Sequence, residues 1–504
     1  MKIFPKNLLT KLFIPLIIFY LAFSYYKSQA SDFDSLVLDD ERPWITRAFY
    51  LELFLHGDFK NDLWKTYNLD ADPKLPEYIF GLVLYPDYLR VRQNKGKDYD
   101  MIRYLMELNF YDRRLMSLKA RPKYEKFVTE KYFFWNADEF SQKTLKDFLE
   151  EYGGAFDKTA ETIIKARLGS VFFLSLSLVV AYFIYLTVFN NPYLSVIVAL
   201  FYGASSLVVY YGTKAYTEPF FLFFVNLTVF FFVLLFSKSQ KHKLISVIVL
   251  AFIIALTNQV KINGIILLFI YVSLSVIALL SKKTTRFARE ALRLLGNIAL
   301  LFSLFLFIYV LLDPYLYENP VKNIKFQYVW TQAIAKEQQA WKNTGLYSPT
   351  DRLRFIASLF SEKLPVNAKN IVILYPKFLD VKNTNLVKIF HFFVKFLFIL
   401  GVAHVILLTY VKKKLTKEAI ITIVFVLFCI PLLFYLIVKW ERYLIHLVFF
   451  IFFFAGQGVR LVIDVLKKEG GRFTRKSLQL PPSNGRDFRE GGLNSSAPQV
   501  YSNP

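Results

Sequence analysis

The sequence predicts an all-α polytopic membrane protein. It reads as a bundle of about ten transmembrane helices with a large first extracytoplasmic loop that carries surface helices. Three observations lead there. Of its 504 residues, 55% are hydrophobic and 18% aromatic, with 54 Phe; a soluble domain holds roughly 45–50% apolar residues and far fewer Phe. The apolar residues gather in runs near the roughly 20 residues that a helix needs to cross a bilayer. The net charge of +23 concentrates in the short segments between alternate runs, as it does where loops on the cytoplasmic side keep Lys and Arg. A water-soluble enzyme is excluded on composition. The single cysteine, Cys429, lies inside an apolar run, which excludes a disulfide framework and any cysteine-based zinc or iron–sulfur site.

The apolar runs fall at 12–26, 168–189, 194–211, 219–236, 244–257, 264–280, 294–312, 387–411, 419–438 and 443–464. The run at 244–257 carries the weakest signal, because Asn258 and Lys261 interrupt it. With the N-terminus in the cytoplasm, segments 1–11, 237–243, 281–293, 411–418 and 467–476 all lie inside. Together they hold twenty Lys or Arg against three acids, Glu290, Glu418 and Glu469. This asymmetry predicts a multi-pass protein with both termini cytoplasmic; the membrane expected is a prokaryotic-type plasma (inner) membrane. It also displaces nucleic acid as the reason for the basic balance.

In order along the chain, residues 1–26 read as an N-terminal signal-anchor helix. The basic start, Lys11 and Pro15 suit a retained helix; cleavage near Ser28-Gln29-Ala30 is the competing reading and leaves the remaining topology unchanged. Residues 27–166 form an extracytoplasmic segment with amphipathic stretches at Trp44–Leu55, Tyr99–Leu108 and Thr144–Tyr152. Their spacing predicts helices lying on the lipid surface, or, for 91–160, a small domain packing its own core. Residues 167–312 hold spans two to seven. A second outer loop, 313–386, is cut into short pieces by Pro314, Pro320, Pro349, Pro365 and Pro376. Spans eight to ten occupy 387–466. The tail, 467–504, is basic at first and rich in Ser, Gly, Asn and Pro from about 477, a composition that predicts disorder. No internal repeat is visible.

Ionisable groups at span ends are costly near lipid and therefore informative. The alternation of sides puts Asp39, Asp40 and Glu41, then Glu218, Lys261 and Arg442, at the outer face. A carboxylate there can take a proton from an acceptor hydroxyl. Arg as a fork and Lys as a point charge can hold a phosphate. A lipid whose head group is a sugar phosphate presents both functions at that depth, and its phosphate can leave with its charge stabilised. Each residue also has an ordinary explanation. The three acids could cap the helix that follows, Glu218 could face a helix dipole, Lys261 could snorkel, and Arg442 beside Trp440 and Tyr443 could anchor an aromatic belt. His56 and His446 read as structural.

Several motifs resemble those of integral-membrane glycosyltransferases of the GT-C fold, in the protein O-mannosyltransferase and lipid A aminoarabinose transferase group. Leu38-Asp39-Asp40-Glu41-Arg42-Pro43-Trp44, with Ala48 and His56-Gly57-Asp58 after it, resembles the acidic motif behind the first helix of that family. Lys74-Leu75-Pro76-Glu77-Tyr78 is similar to its Pro-rich surface-helix motif, without the usual His. Arg167-Leu168-Gly169, Tyr216-Thr217-Glu218-Pro219, Asn258–Gly264 with Lys261, Asp313-Pro314-Tyr315 with Asn319-Pro320, and Arg442-Tyr443 resemble later motifs in the same order. The insertion at 91–160 departs from the pattern.

This resemblance implies a glycosyltransferase that moves a sugar from a polyprenyl-phosphate donor to a protein, lipid or glycan acceptor at the extracytoplasmic face. Asp39 or Asp40 would be the general base, because the register of the acidic pair leaves both open. Glu41, Arg167, Glu218, Lys261, Arg442 and Tyr443 would bind substrate. In members that transfer single sugars the acid acts as base and the anomeric configuration inverts; the resemblance fixes no cofactor. Oligosaccharide-transferring relatives hold a divalent metal between outer carboxylates, which here would be Asp39 or Asp40 with Glu218. The reading from a different class is a transporter or flippase of lipid-linked sugars. The scarcity of ionisable residues at mid-depth counts against it. A third, a non-catalytic protein with a receptor-like outer segment, leaves the shared placement of Glu218, Lys261 and Arg442 without a purpose.

Overall fold

The computed structural model describes residues 9–31, 38–65, 72–110, 122–123, 145–237, 243–281, 287–340, 345–360, 374, 376, 384–412 and 415–477. The side chains of Asp39 and Asp40, those of 145–157, and residues 478–504 lie outside this description, and with them the disorder expected of the final tail. The chain divides into a body, residues 1–459, and a terminal unit, 460–504.

Seventeen α-helices follow one another in the described residues. They are α1 (Ile14–Ala30), α2 (Leu38–Thr46), α3 (Tyr50–Leu55), α4 (Leu75–Lys95), α5 (Met101–Glu107) and α6 (Leu145–Phe189). Next come α7 (Pro192–Ala204), α8 (Ser206–Gly212), α9 (Glu218–Ser237), α10 (Lys243–Val260), α11 (Ile266–Leu280) and α12 (Phe287–Leu311). The last are α13 (Pro320–Gln339), α14 (Pro349–Ala357), α15 (Thr384–Lys412), α16 (Lys417–Tyr435) and α17 (Ile445–Ser477). Among the described residues there is no β-strand, only isolated bridges such as Gly345 with Val438. The protein is an all-α membrane protein.

Helices long and apolar enough to cross a membrane are Lys158–Phe189, Glu218–Ser237, Ile262–Leu280, Phe287–Leu311, Asn385–Val411, Lys417–Tyr435 and Glu441–Lys467. The remaining apolar runs lie on the shorter α1, α7 and α10. The run at 194–211 breaks at Ser205, which takes an extended ψ of 137° between α7 and α8. Of the two interrupting residues, Asn258 is buried in α10 together with Thr257 and Gln259, while Lys261 stands just beyond the helix end and keeps 19% exposure.

Helix ends follow local chemistry. Asn191 accepts a hydrogen bond from the Leu194 amide, with Pro192 opening α7. Asn319 and Pro320 do the same for α13, and Ser348 with Asp351 closes a capping box on α14. Such caps satisfy amides that have no partner within the helix.

Helix α6 is the post of the body, and α1, α7 and α9 pack along it. Within this core the Asn226 amide donates to Ser177 at 2.9 Å and to the Tyr202 hydroxyl at 3.2 Å. The Tyr26 hydroxyl donates to the Gly203 carbonyl at 3.0 Å. Hydrogen bonds across helices hold spans together where apolar burial alone discriminates little. Against α9 lies α10, and against α10 lies α12. The spans of α12 and α15 are only 17% buried, against 56% for α6 and α9, and their exposed Leu, Ile and Phe face lipid. Gly401 of α15 has no room for a side chain, since a Cβ would sit 1.7 Å from the Phe454 carbonyl of α17.

The boundary expected at 166/167 falls inside one continuous helix of 45 residues, α6. The stretch at Trp44–Leu55 is built into the protein rather than laid on lipid: Ile45, Ala48, Phe49 and Tyr50 are each at most 1% exposed. Helix α5 is likewise buried at Met101, Leu105 and Met106. Glu52 fixes this part by accepting from the Tyr88 hydroxyl and, at 2.7 Å, from the Met101 amide.

Candidate functional site

Three residues from separate span ends meet at one place. Glu218 is the first residue of α9, Lys261 follows α10, and Arg442 stands in the single turn (Glu441–Leu444) that leads into α17. The Lys261 ammonium donates to Glu218 Oε1 at 2.6 Å. The same Nζ lies 5.8 Å from the Phe221 ring and 5.6 Å from the Tyr443 ring. The Arg442 guanidinium is 4.1 Å from the Trp440 ring and 5.8 Å from that of Tyr443. Its charge acts on both Glu218 and Lys261. Glu218 is 2% exposed, while the Lys261 side chain keeps 19%. Burial holds the Lys261 ammonium below the usual lysine range, against the pull of Glu218.

The backbone explains the arrangement. Lys261 is extended (φ −147°, ψ 131°), and a short turn over Ile262–Ile265 follows before α11. Gly264 folds so tightly onto the end of α10 that a Cβ would lie 2.7 Å from the Asn258 amide nitrogen. Glycine is the residue that allows this approach. Glu218, Lys261 and Arg442 therefore stand where α9, α11 and α17 begin. Each helix start carries the positive end of a dipole and unpaired amides. Two cations and three such ends in one corner favour an anion, and Glu218 is the anion present.

Glu41 and Arg167, both expected to contact substrate, meet each other. Arg167 donates from Nε to Glu41 Oε1 at 2.7 Å and from Nη2 to Oε2 at 2.6 Å, and each residue is fully buried. Arg167 also donates to the Ala30 carbonyl at 2.8 Å, and Glu41 accepts from the Ala215 amide at 2.7 Å. Ala215 is three residues before Glu218, in a buried loop from Thr213 to Thr217. The pair thus ties the acidic helix α2 and the end of α1 to the loop that opens α9. Asp39 and Asp40 immediately precede Glu41 in α2.

Other charged residues escape the span-end argument. Arg47 Nη1 lies 2.9 Å from Asp72 and 2.6 Å from Glu77, and Lys74 Nζ lies 3.9 Å from Glu77 and 4.7 Å from the Tyr50 ring. Asp313 accepts from Gln327 at 2.9 Å and from the Tyr315 amide at 3.2 Å. Gln259 accepts from the Lys74 amide and donates to the Tyr309 carbonyl. Burial pushes Glu77 up to about 7, against the pull of Lys74 and Arg47. It pushes Asp313 up to about 6. The Lys74–Glu77 spacing of three residues on a helix was the available signal for one contact; nothing local marks Arg47 or Asp72. Glu441 was also missed. It is fully buried and accepts from the Tyr211 hydroxyl at 3.2 Å. Among the described residues no three His, Cys, Asp or Glu gather as metal ligands.

With this geometry in hand, comparison with known proteins is informative. Residues 143–329 match the family model of dolichyl-phosphate-mannose-protein mannosyltransferase. The match indicates a glycosyltransferase of the class that uses a polyprenyl-phosphate sugar donor, embedded in the membrane. It agrees with the GT-C resemblance and takes in Arg167, Glu218, Lys261 and Asp313, while Asp39, Asp40 and Arg442 lie beyond it. No curated protein and no solved structure is significantly similar to the chain.

Proposed function

We propose that this mannosyltransferase-like chain transfers one sugar from a polyprenyl-phosphate donor to an acceptor hydroxyl at the extracytoplasmic face of the membrane. The observation that carries the proposal is the meeting of Lys261, Arg442 and Glu218 at three helix starts. In the reaction the acceptor oxygen bonds to the anomeric carbon, the bond from that carbon to the phosphate oxygen breaks, and configuration inverts. The acceptor proton goes to Asp39 or Asp40 as general base. The phosphate departs on its lipid with one negative charge gained. Lys261 and Arg442 stabilise that charge, having been positioned before the reaction begins. Glu218 keeps Lys261 aligned, and Tyr443 lines the same cation. Glu41 and Arg167 act by fixing α2, and so the acids that precede Glu41, beside the loop that opens α9.

The test is incubation of the purified protein with radiolabelled dolichyl-phosphate-mannose and membrane extract, followed by identification of the labelled product. Asp39→Asn and Asp40→Asn are assayed singly and together. Label on a protein, lipid or glycan, lost in at least one single variant, supports the proposal. Full activity in the double variant removes the acids from the chemistry. Movement of the labelled lipid across a vesicle bilayer with its sugar still attached replaces the transferase by a transporter.

A further inference from the structure

The sequence gives His446 no role beyond packing, and its surroundings do not explain an imidazole. It lies in the first turn of α17, four residues beyond Arg442 and three beyond Tyr443, and its imidazole feels the Lys261 charge. The residue is 8% exposed. The ring centroid is 5.1 Å from that of Phe428 and 6.1 Å, edge to face, from that of Phe221. Phe221 is the ring that borders the Lys261 ammonium. Nε2 is buried and makes no hydrogen bond within the protein. A buried polar atom left without a partner is a standing cost. Phenylalanine would fill the space between Phe221 and Phe428 without it, so packing alone favours a different residue.

We infer that His446 is a third ligand of the donor phosphate, its Nε2–H donating to a phosphate oxygen held by Lys261 and Arg442. This rests on the donor reading proposed above. The group adds what the two cations lack. Lysine acts as a mobile point charge and arginine as a planar fork, whereas a packed imidazole offers one hydrogen bond in a fixed direction. The phosphate would sit at the start of α17, where the helix dipole favours negative charge.

The experiment measures binding of sugar-free dolichyl phosphate to the full chain in detergent. Wild type is compared with Lys261→Met, His446→Phe and His446→Gln. The phenylalanine variant keeps the aromatic packing and removes the donor. Glutamine loses the ring but can place an amide N–H near the position of Nε2. A hydrogen-bonding role predicts that His446→Phe weakens binding roughly ten- to hundredfold and that His446→Gln recovers most of it. A packing role predicts the reverse order, and that result overturns the inference. Equal loss in both variants overturns it as well. If Lys261→Met loses binding while His446→Phe binds as wild type does, the inference fails and the donor reading stands. If wild type does not bind the lipid, or Lys261→Met binds it equally well, both fail together.

Discussion

The pairs Glu41–Arg167 and Glu218–Lys261 share the same closest N–O distance, 2.6 Å, yet the surroundings of the two pairs differ. The first is bidentate and has both members fully buried, with Ala30 and Ala215 supplying further backbone bonds. The second is joined by a single hydrogen bond, its lysine side chain keeps 19% exposure, and the Arg442 charge acts on both members. The network of Arg47, Asp72, Lys74, Glu77 and Asp313 is buried like the first except at Asp72, but the Glu77 carboxylate holds ion pairs without a hydrogen bond. A buried ion pair in a protein of this size is weak evidence of stability in itself. On the reading proposed above, the closed pair fixes the chain and the more exposed one meets the donor.

The largest effect should come from Asp39 and Asp40, the acids proposed above as the base. Loss of a general base costs about 10² to 10⁴ in rate. Asp39→Asn or Asp40→Asn should therefore abolish most sugar transfer in the radiolabel assay while the melting temperature stays that of the wild type. A large drop in melting temperature would move the acids to the structural side of the comparison.

Breaking the closed pair should act on folding. Arg167→Met leaves Glu41 buried without its partner, and such changes cost about 3–5 kcal/mol. Denaturation of the purified variant, or its yield in the membrane, reads this out. The double variant with Glu41→Leu should recover part of the loss, because no charge is then left stranded. If Arg167→Met folds as wild type does and only raises the donor KM, Arg167 belongs with substrate.

The buried network makes a prediction about pH. Asp313 moves from an ordinary carboxyl value to about 6, and Glu77 to about 7. A carboxyl whose value is raised by folding binds its proton more tightly in the folded state. Its contribution is complete below about pH 4 and is lost as pH rises to about 6 or 7. Stability should thus fall across that window, by no more than about 3 kcal/mol for Asp313. Asp313→Asn should flatten the fall in a series of melting curves between pH 4 and 7. An unchanged slope would mean that Asp313 is ionised throughout.

At the open pair the expected effect is smaller and lies in function. Lys261→Met should lower kcat/KM for the polyprenyl-phosphate sugar roughly ten- to hundredfold, the size of a hydrogen bond to a charged group. Its cost in stability should stay well under that of Arg167→Met, since Arg442 still acts on Glu218. Equal destabilisation by the two variants would erase the distinction drawn here.

These two kinds of site were not equally legible in the sequence. The spans were readable because lipid demands long apolar runs. The alternation of sides then brought Glu218, Lys261 and Arg442 to one face, and their meeting follows from topology that local sequence reveals. Glu41 and Arg167 are 126 positions apart; each looks like a span-end charge, and only the packing of α2 against α6 shows that they consume each other. The break at Ser205 was hidden for a related reason. Its neighbours are as apolar as those of a continuous span, and the residues that hold the break lie far along the chain. Arg47 and Glu77 were invisible as partners because amphipathic spacing looks the same whether the apolar face meets lipid or protein.

The smallest effect tests whether burial is the deciding variable. Lys65 and Glu318 form a third short pair, at 2.7 Å, between the same two segments that the buried network joins. Here the side chains are 48% and 69% exposed. Water already satisfies both groups, and holding two long side chains in one geometry costs entropy, so exposed pairs contribute about 0–1 kcal/mol. Lys65→Ala should shift the unfolding midpoint by an amount near the error of the measurement, and added salt should remove even that. A cost approaching that of Arg167→Met would show that the joint between the two segments, rather than the desolvation of its charges, governs how much each pair matters.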